Sequence, residues 1–155
     1  MDGRQAAEHV RQEREYLMKI VGAFESGQGK FRPAEGMITV AQQINHITFM
    51  IRWFVQGAFG TGFDLNPDKS AAATREDLDL NEAIRRLNET YDDYIAFLET
   101  LTVAELDAHM PPNPILGEVP RISLLRAQAD HTAHHRGVLT VYLRLLGVVP
   151  PVIYG

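Results

Sequence analysis

Three of the six histidines in this chain fall within five residues, in the segment Asp130-His131-Thr132-Ala133-His134-His135-Arg136-Gly137. His131 and His135 are four positions apart, so on an α-helix they share one face, about 6 Å apart along the axis. Two neutral imidazoles so placed can converge on one metal ion at a metal–nitrogen distance of roughly 2.1 Å. A third ligand from elsewhere would complete a site that keeps a coordination position open for a reactant. His46, far away in sequence, is the candidate for that third ligand.

The same segment excludes some chemistry. A zincin carries Glu directly after its first histidine as general base, and here that position is Thr132. The Glu-x-x-His pairing of di-iron bundles is absent too. Asp130 could support a histidine N–H, but it projects about 100° away from His131 on a helix. His134 lies on a flanking face, as a supporting or surface residue. His9 and His109 have no sequence partner and read as structural. With no cysteine in the chain, there is no thiolate ligand, no cysteine nucleophile and no disulfide.

Positioning these residues falls to four long helical patterns. The first covers residues 4–24 and ends at the Ser26-Gly27-Gln28-Gly29 breaker. The second opens at Thr39, with Gln42 at capping-box spacing, and stops near residues 57–62. Its buried stripe is Val40, Ile44, Ile47, Ile51, Phe54 and Ala58, which His46 borders in line with Gln42, Met50 and Trp53. Residues 63–73, with Asn66-Pro67, read as an irregular linker, and Thr74-Arg75-Glu76-Asp77 as the cap of a third helix carrying Leu80, Ile84, Leu87, Tyr91, Tyr94, Ile95 and Leu98 inward. Thr102 and Glu105 cap a short extra helix that ends near His109, before Pro111-Pro112-Asn113-Pro114. The last long helix begins at residues 121–123 and runs to about Leu146, closed by Gly147 and Pro150-Pro151. Its inward stripe reads Leu124, Gln128, His131, His135, Val138, Tyr142 and Leu145. No alternating strand pattern competes. The expected fold is therefore all-α, a four-helix bundle in which facing helices 8–10 Å apart bring opposed imidazoles within reach.

A chain of 155 residues suits a single domain spanning residues 1–155. Its 45% apolar and 23% charged residues are those of a soluble globular protein. A net charge of −5 with no Lys/Arg run argues against a nucleic-acid partner. The polar N-terminus lacks the apolar core of a signal peptide, and no run of 18 apolar residues points to a membrane span. The expected location is cytoplasmic.

Gln42-Gln43-Ile44-Asn45-His46-Ile47 and His131-Thr132-Ala133-His134-His135-Arg136-Gly137 together resemble the DinB/YfiT-like proteins. These are metal-binding four-helix bundles that include thiol-dependent S-transferases and the mycothiol-dependent maleylpyruvate isomerase domain. The resemblance covers nearly the whole chain in helix order. It implies His46, His131 and His135 as the three ligands of one divalent ion, Zn or Ni first, with Fe or Mn also suited to imidazole. It also implies a homodimer. Where the family often continues His-His-Arg-Gly with Gln, this chain has Val138, which removes a polar group near the site. His134, Arg136, Asn45, Trp53 and Tyr142 are the candidates for supporting or substrate contacts, with Met50 and Phe49 beside Trp53 and with Arg136 placed to hold a carboxylate.

The function this implies is a metal-dependent transferase acting on a small-molecule substrate with a low-molecular-weight thiol as cosubstrate. A metal-dependent hydrolase using bound hydroxide is the first alternative. A non-catalytic, metal-stabilised, stress-related bundle is the second.

Overall fold

A computed structural model describes residues 1–154. Its long helices are α1 (Gly3–Val21), α2 (Val40–Phe59), α4 (Leu80–Glu99) and α6 (Ser123–Leu145), with the shorter α3 (Pro67–Thr74) and α5 (Val103–Asp107) between them. The starts follow local chemistry. Asp2, Thr39, Asn66, Asp79 and Thr102 each accept a backbone N–H of the first turn that would otherwise lack a partner. Thr39 and Gln42 form the reciprocal box expected of them, at 3.2 and 3.0 Å.

Side-chain pairs fix the helix directions. Arg14 reaches Asn88 and Asp92, and Arg11 reaches Glu99, so α1 and α4 are antiparallel. Gln43 meets His135 while Phe54 meets His131, so α2 and α6 are antiparallel as well. Glu13 bonds Gln128 and Tyr16 packs on Arg136, which makes α1 and α6 parallel. Ile51 and Thr90 share a groove with Phe59 and Phe97, which makes α2 and α4 parallel. Round the bundle the order is α1, α4, α2, α6. The core is built from Leu17, Ile20, Ile44, Ile47, Leu87, Tyr91, Leu98 and Leu139, all nearly inaccessible.

Parallel neighbours cannot be joined by a tight turn, so the chain must climb back along α2 before α4 begins. That return contains α3. The linker expected to be irregular is thus a helix over Pro67–Thr74, because Asn66-Pro67 is a start signal as well as a break: Asn66 accepts from Asp68 N at 3.0 Å, and proline lacks the N–H that its position would leave unpaired. Thr74 closes α3 and caps nothing after it; the cap of α4 is Asp79.

The first helix stops at Val21, and Ser26–Lys30 is a turn of 3-10 helix. The short α5 ends at Asp107, and His109 pairs its backbone with Pro120. On α6 the buried set is Leu124, Gln128, Thr132, Leu139, Tyr142 and Leu143, whereas Leu145 is exposed, so the interior face is turned toward Thr132. No described helix is long and apolar enough to cross a membrane.

Candidate metal centre

His131 and His135 stand one turn apart on α6, and antiparallel packing brings His46 of α2 opposite them. Ring centroids are 4.5 Å apart for His131 and His135, 4.6 Å for His46 and His135, and 5.2 Å for His46 and His131. One ligating nitrogen from each lies within 4.8 Å of the other two. All three side chains are half-buried.

Two of the rings are held by their other nitrogen. His135 Nδ1 lies 2.7 Å from Gln43 Oε1. An amide oxygen only accepts, so Nδ1 carries the proton and Nε2 keeps its lone pair. His46 Nδ1 lies 2.9 Å from the hydroxyl of Thr74, which orients that ring. The return helix α3 delivers Thr74, and α2 pins its end there: Asn45 Nδ2 donates to Ala73 O at 2.5 Å and Gln42 Nε2 to Arg75 O at 3.1 Å. His131 packs edge-on against Phe54, 6.0 Å between centroids.

Burial holds all three imidazoles neutral. It pushes His131 down to about 4 and His135 down to about 3, and the neighbouring imidazoles add to the shift. His46 is lowered for the same first reason, with His134 contributing. Neutral, oriented imidazoles are what a divalent ion of intermediate softness requires, so the residues present fit such an ion.

The other expected site residues are distributed as follows. His134 is exposed, its ring edge-on to His135 at 4.9 Å, and outside the ligand group. Asn45 acts on α3, as above. Trp53 is half-buried, donates from Nε1 to Asp64 O at 2.7 Å and stacks near Phe63. Arg136 lies over the Tyr16 ring and donates to the Tyr154 hydroxyl at 3.2 Å. Tyr142 is fully buried, its hydroxyl bonded to Ile38 O at 3.0 Å, and so belongs to the core, away from any substrate wall. Asp130 is exposed beside Arg126 and supports no histidine.

Three residues escaped the sequence reading. Gln43 and Thr74 hold the rings. Glu13 of α1 is a carboxylate turned into the bundle, accepting from the Tyr91 hydroxyl at 2.7 Å and from Gln128 Nε2 at 2.8 Å. Burial raises its pKa, opposed by these hydrogen bonds and by Arg136. It faces Gln128 and Thr132 on α6.

The profile of the DinB superfamily matches residues 9–139. The chain belongs to the DinB superfamily. Three solved structures share the DinB fold with it. YjoA, a DinB-like protein of Bacillus subtilis, is 22% identical with a TM-score of 0.68, over 96% of this chain and 97% of its own. YfiT of Bacillus subtilis, described as "a probable metal-dependent hydrolase with an unusual four-helix bundle topology", is 17% identical with a TM-score of 0.71, over 94% of this chain and 88% of its own. A DinB-like protein of Bacillus cereus is 21% identical with a TM-score of 0.64, over 93% of this chain and 92% of its own. Among curated proteins none matches.

Proposed function

We propose that this chain is a divalent-metal enzyme that joins a low-molecular-weight thiol to a small electrophilic acceptor, with His46, His131 and His135 holding the ion. The observation that carries this reading is the fixed orientation of converging imidazoles: Gln43 and Thr74 occupy Nδ1 of two rings, leaving Nε2 to ligate. Three neutral ligands leave the full charge of the ion, Zn or Ni in first place and Fe or Mn after them, to acidify a thiol or a water molecule at a remaining position.

No carboxylate belongs to the ligand group, and Glu13 is engaged by Tyr91 and Gln128. A nucleophile that ionises readily is therefore favoured here. A thiol, with an ordinary pKa near 8.5, needs far less help than water, whose own value lies far higher. The chain has no cysteine of its own, so the thiol comes from outside. Met50 and Trp53 follow His46 by one and two turns on α2, and with Phe63 they give the acceptor an apolar wall.

A second reading, hydrolysis by an ionised water, is favoured by the likeness to YfiT. Untagged protein loaded with Zn or Ni is mixed with cysteine as thiol and an aryl halide as acceptor. Thiol consumption should require metal, acceptor and His135 together. Metal-dependent ester or amide cleavage without thiol would replace the transferase with the hydrolase. Inertness toward every acceptor, with chelation lowering only the melting temperature, would leave the metal a purely structural role.

A further inference from the structure

A cavity of about 320 Å³ lies where the C-terminal end of α2 meets the loop before α6. The 60–62 turn, Phe63, the 111–114 loop and Arg121 enclose it. We propose that it is an anion-binding pocket, with the Arg121 guanidinium as its charge, for a small organic acid consisting of one carboxylate or phosphate head and an apolar body. This proposal is independent of the metal chemistry.

Arg121 is the one charged residue in the lining. Its side chain is half-buried, its covered Nε has no hydrogen-bond partner among the described residues, and its terminal nitrogens are the ones a ligand would meet. An unmade hydrogen bond from a buried charged group is among the costlier omissions in a folded chain. The guanidinium lies over the Phe59 ring, 5.5 Å from its centroid, which supports the cation without accepting an N–H. Glu105, whose carboxyl feels Arg121, is held in its own cap by Thr102, at 2.8 Å to the backbone N and 2.7 Å to the hydroxyl. The charge is therefore left for a ligand.

The enclosure is preformed. Asn113 commits its whole amide to its own loop, donating to Pro111 O and Gly117 O and accepting from Ile115 N and Leu116 N. Arg121 N donates to Ala108 O and Met110 N to Val119 O, which anchors both ends of that loop. Thr61, also in the lining, accepts at Oγ1 from Gln56 Nε2, so its own O–H remains free to donate. The side chains of the prolines and Phe63 supply walls without acceptors that would compete for Arg121, and a planar guanidinium fork suits carboxylate and phosphate alike. The volume is at the small end for ligand pockets, which limits the body to a short chain or one ring.

The test uses hexanoate and inorganic phosphate as probes, titrated into the untagged full chain and followed by calorimetry and by backbone amide shifts. Hexanoate should bind with a dissociation constant below about 1 mM, moving amides of residues 57–63, 111–117 and 121. Arg121→Gln should weaken it roughly tenfold or more, and Arg121→Lys should keep part of the affinity because the charge survives without the fork. Phosphate binding in competition with hexanoate would show that the head alone suffices; phosphate binding with no hexanoate binding would assign the pocket to phosphate esters. Absence of both to about 10 mM, undiminished binding by Arg121→Gln, or shifts centred elsewhere would overturn the proposal. Should Arg121→Gln fail to fold, the shift map on the unaltered chain decides.

Discussion

Gln43 Oε1 accepts the Nδ1 proton of His135 at 2.7 Å across the α2–α6 interface, so a buried amide on one helix selects the tautomer of a ligand on the other. Partners of this kind tune metal affinity by roughly tenfold to a hundredfold. Gln43→Ala should therefore weaken metal binding by that amount in a chelator competition, while the helical signal is retained. Unchanged affinity would mean that His135 is oriented by packing alone.

Metal binding at mildly acid pH should release almost no protons from the imidazoles. Three unshifted histidines would give up about two protons in all at pH 6. Here burial holds His131 at about 4 and His135 at about 3, with His46 also lowered. Calorimetry in two buffers of different ionisation heat counts the protons, and a release near two would contradict the burial described. The same depression fixes the sign for the metal-free protein. Its stability is full above the unfolded value near 6.5 and falls as pH drops from there toward 3, where the native rings protonate as well.

Glu13 is the opposite case. Burial raises its pKa above 4.5, so the native state binds this proton more tightly, and the charged form costs stability once pH passes that value. Glu13→Gln keeps an oxygen for Tyr91 and Gln128 and adds an N–H₂ that can reach Gln128 Oε1, a buried atom without a partner. The variant should melt higher than the parent at pH 7 and about equally at pH 4. A lower melting temperature at pH 7 would show that the carboxylate's hydrogen bonds outweigh its desolvation.

Gly57 sets two effects against each other. Alanine in a helix interior is favoured over glycine by up to about 1 kcal/mol. A Cβ here would lie 2.2 Å from the Phe63 ring, which is itself packed against Trp53 and Phe54. Overpacking of that kind costs about 1–3 kcal/mol, so Gly57→Ala should destabilise and should alter Trp53 fluorescence. A higher melting temperature would mean that Phe63 moves aside freely.

The three imidazoles were legible because an i,i+4 pair and a lone histidine bordering an apolar stripe are local patterns. Their meeting was implied only by the family resemblance, since it depends on α2 running antiparallel to α6, a fact of topology. Gln43 stood within the quoted motif, but its target lies on another helix. Thr74 was misread because Thr-Arg-Glu-Asp has the look of a helix start, while the return path along α2 needs a helix that ends there. Glu13 gave no signal at all: within Arg11-Gln12-Glu13-Arg14-Glu15 it looks like part of a solvated face, and only the packing of α4 and α6 against α1 turns it inward. Tyr142 was ambiguous in the same way, as an inward tyrosine serves core and pocket equally until its hydroxyl finds Ile38 O.

The central claim is that residues from two helices hold one ion, and elemental analysis of untagged protein tests it most directly. The parent chain should carry about one divalent ion per molecule, as a single three-histidine site requires, and His46→Ala, His131→Ala and His135→Ala should each carry almost none while remaining helical. Parent-level metal in any of the three folded variants would contradict it.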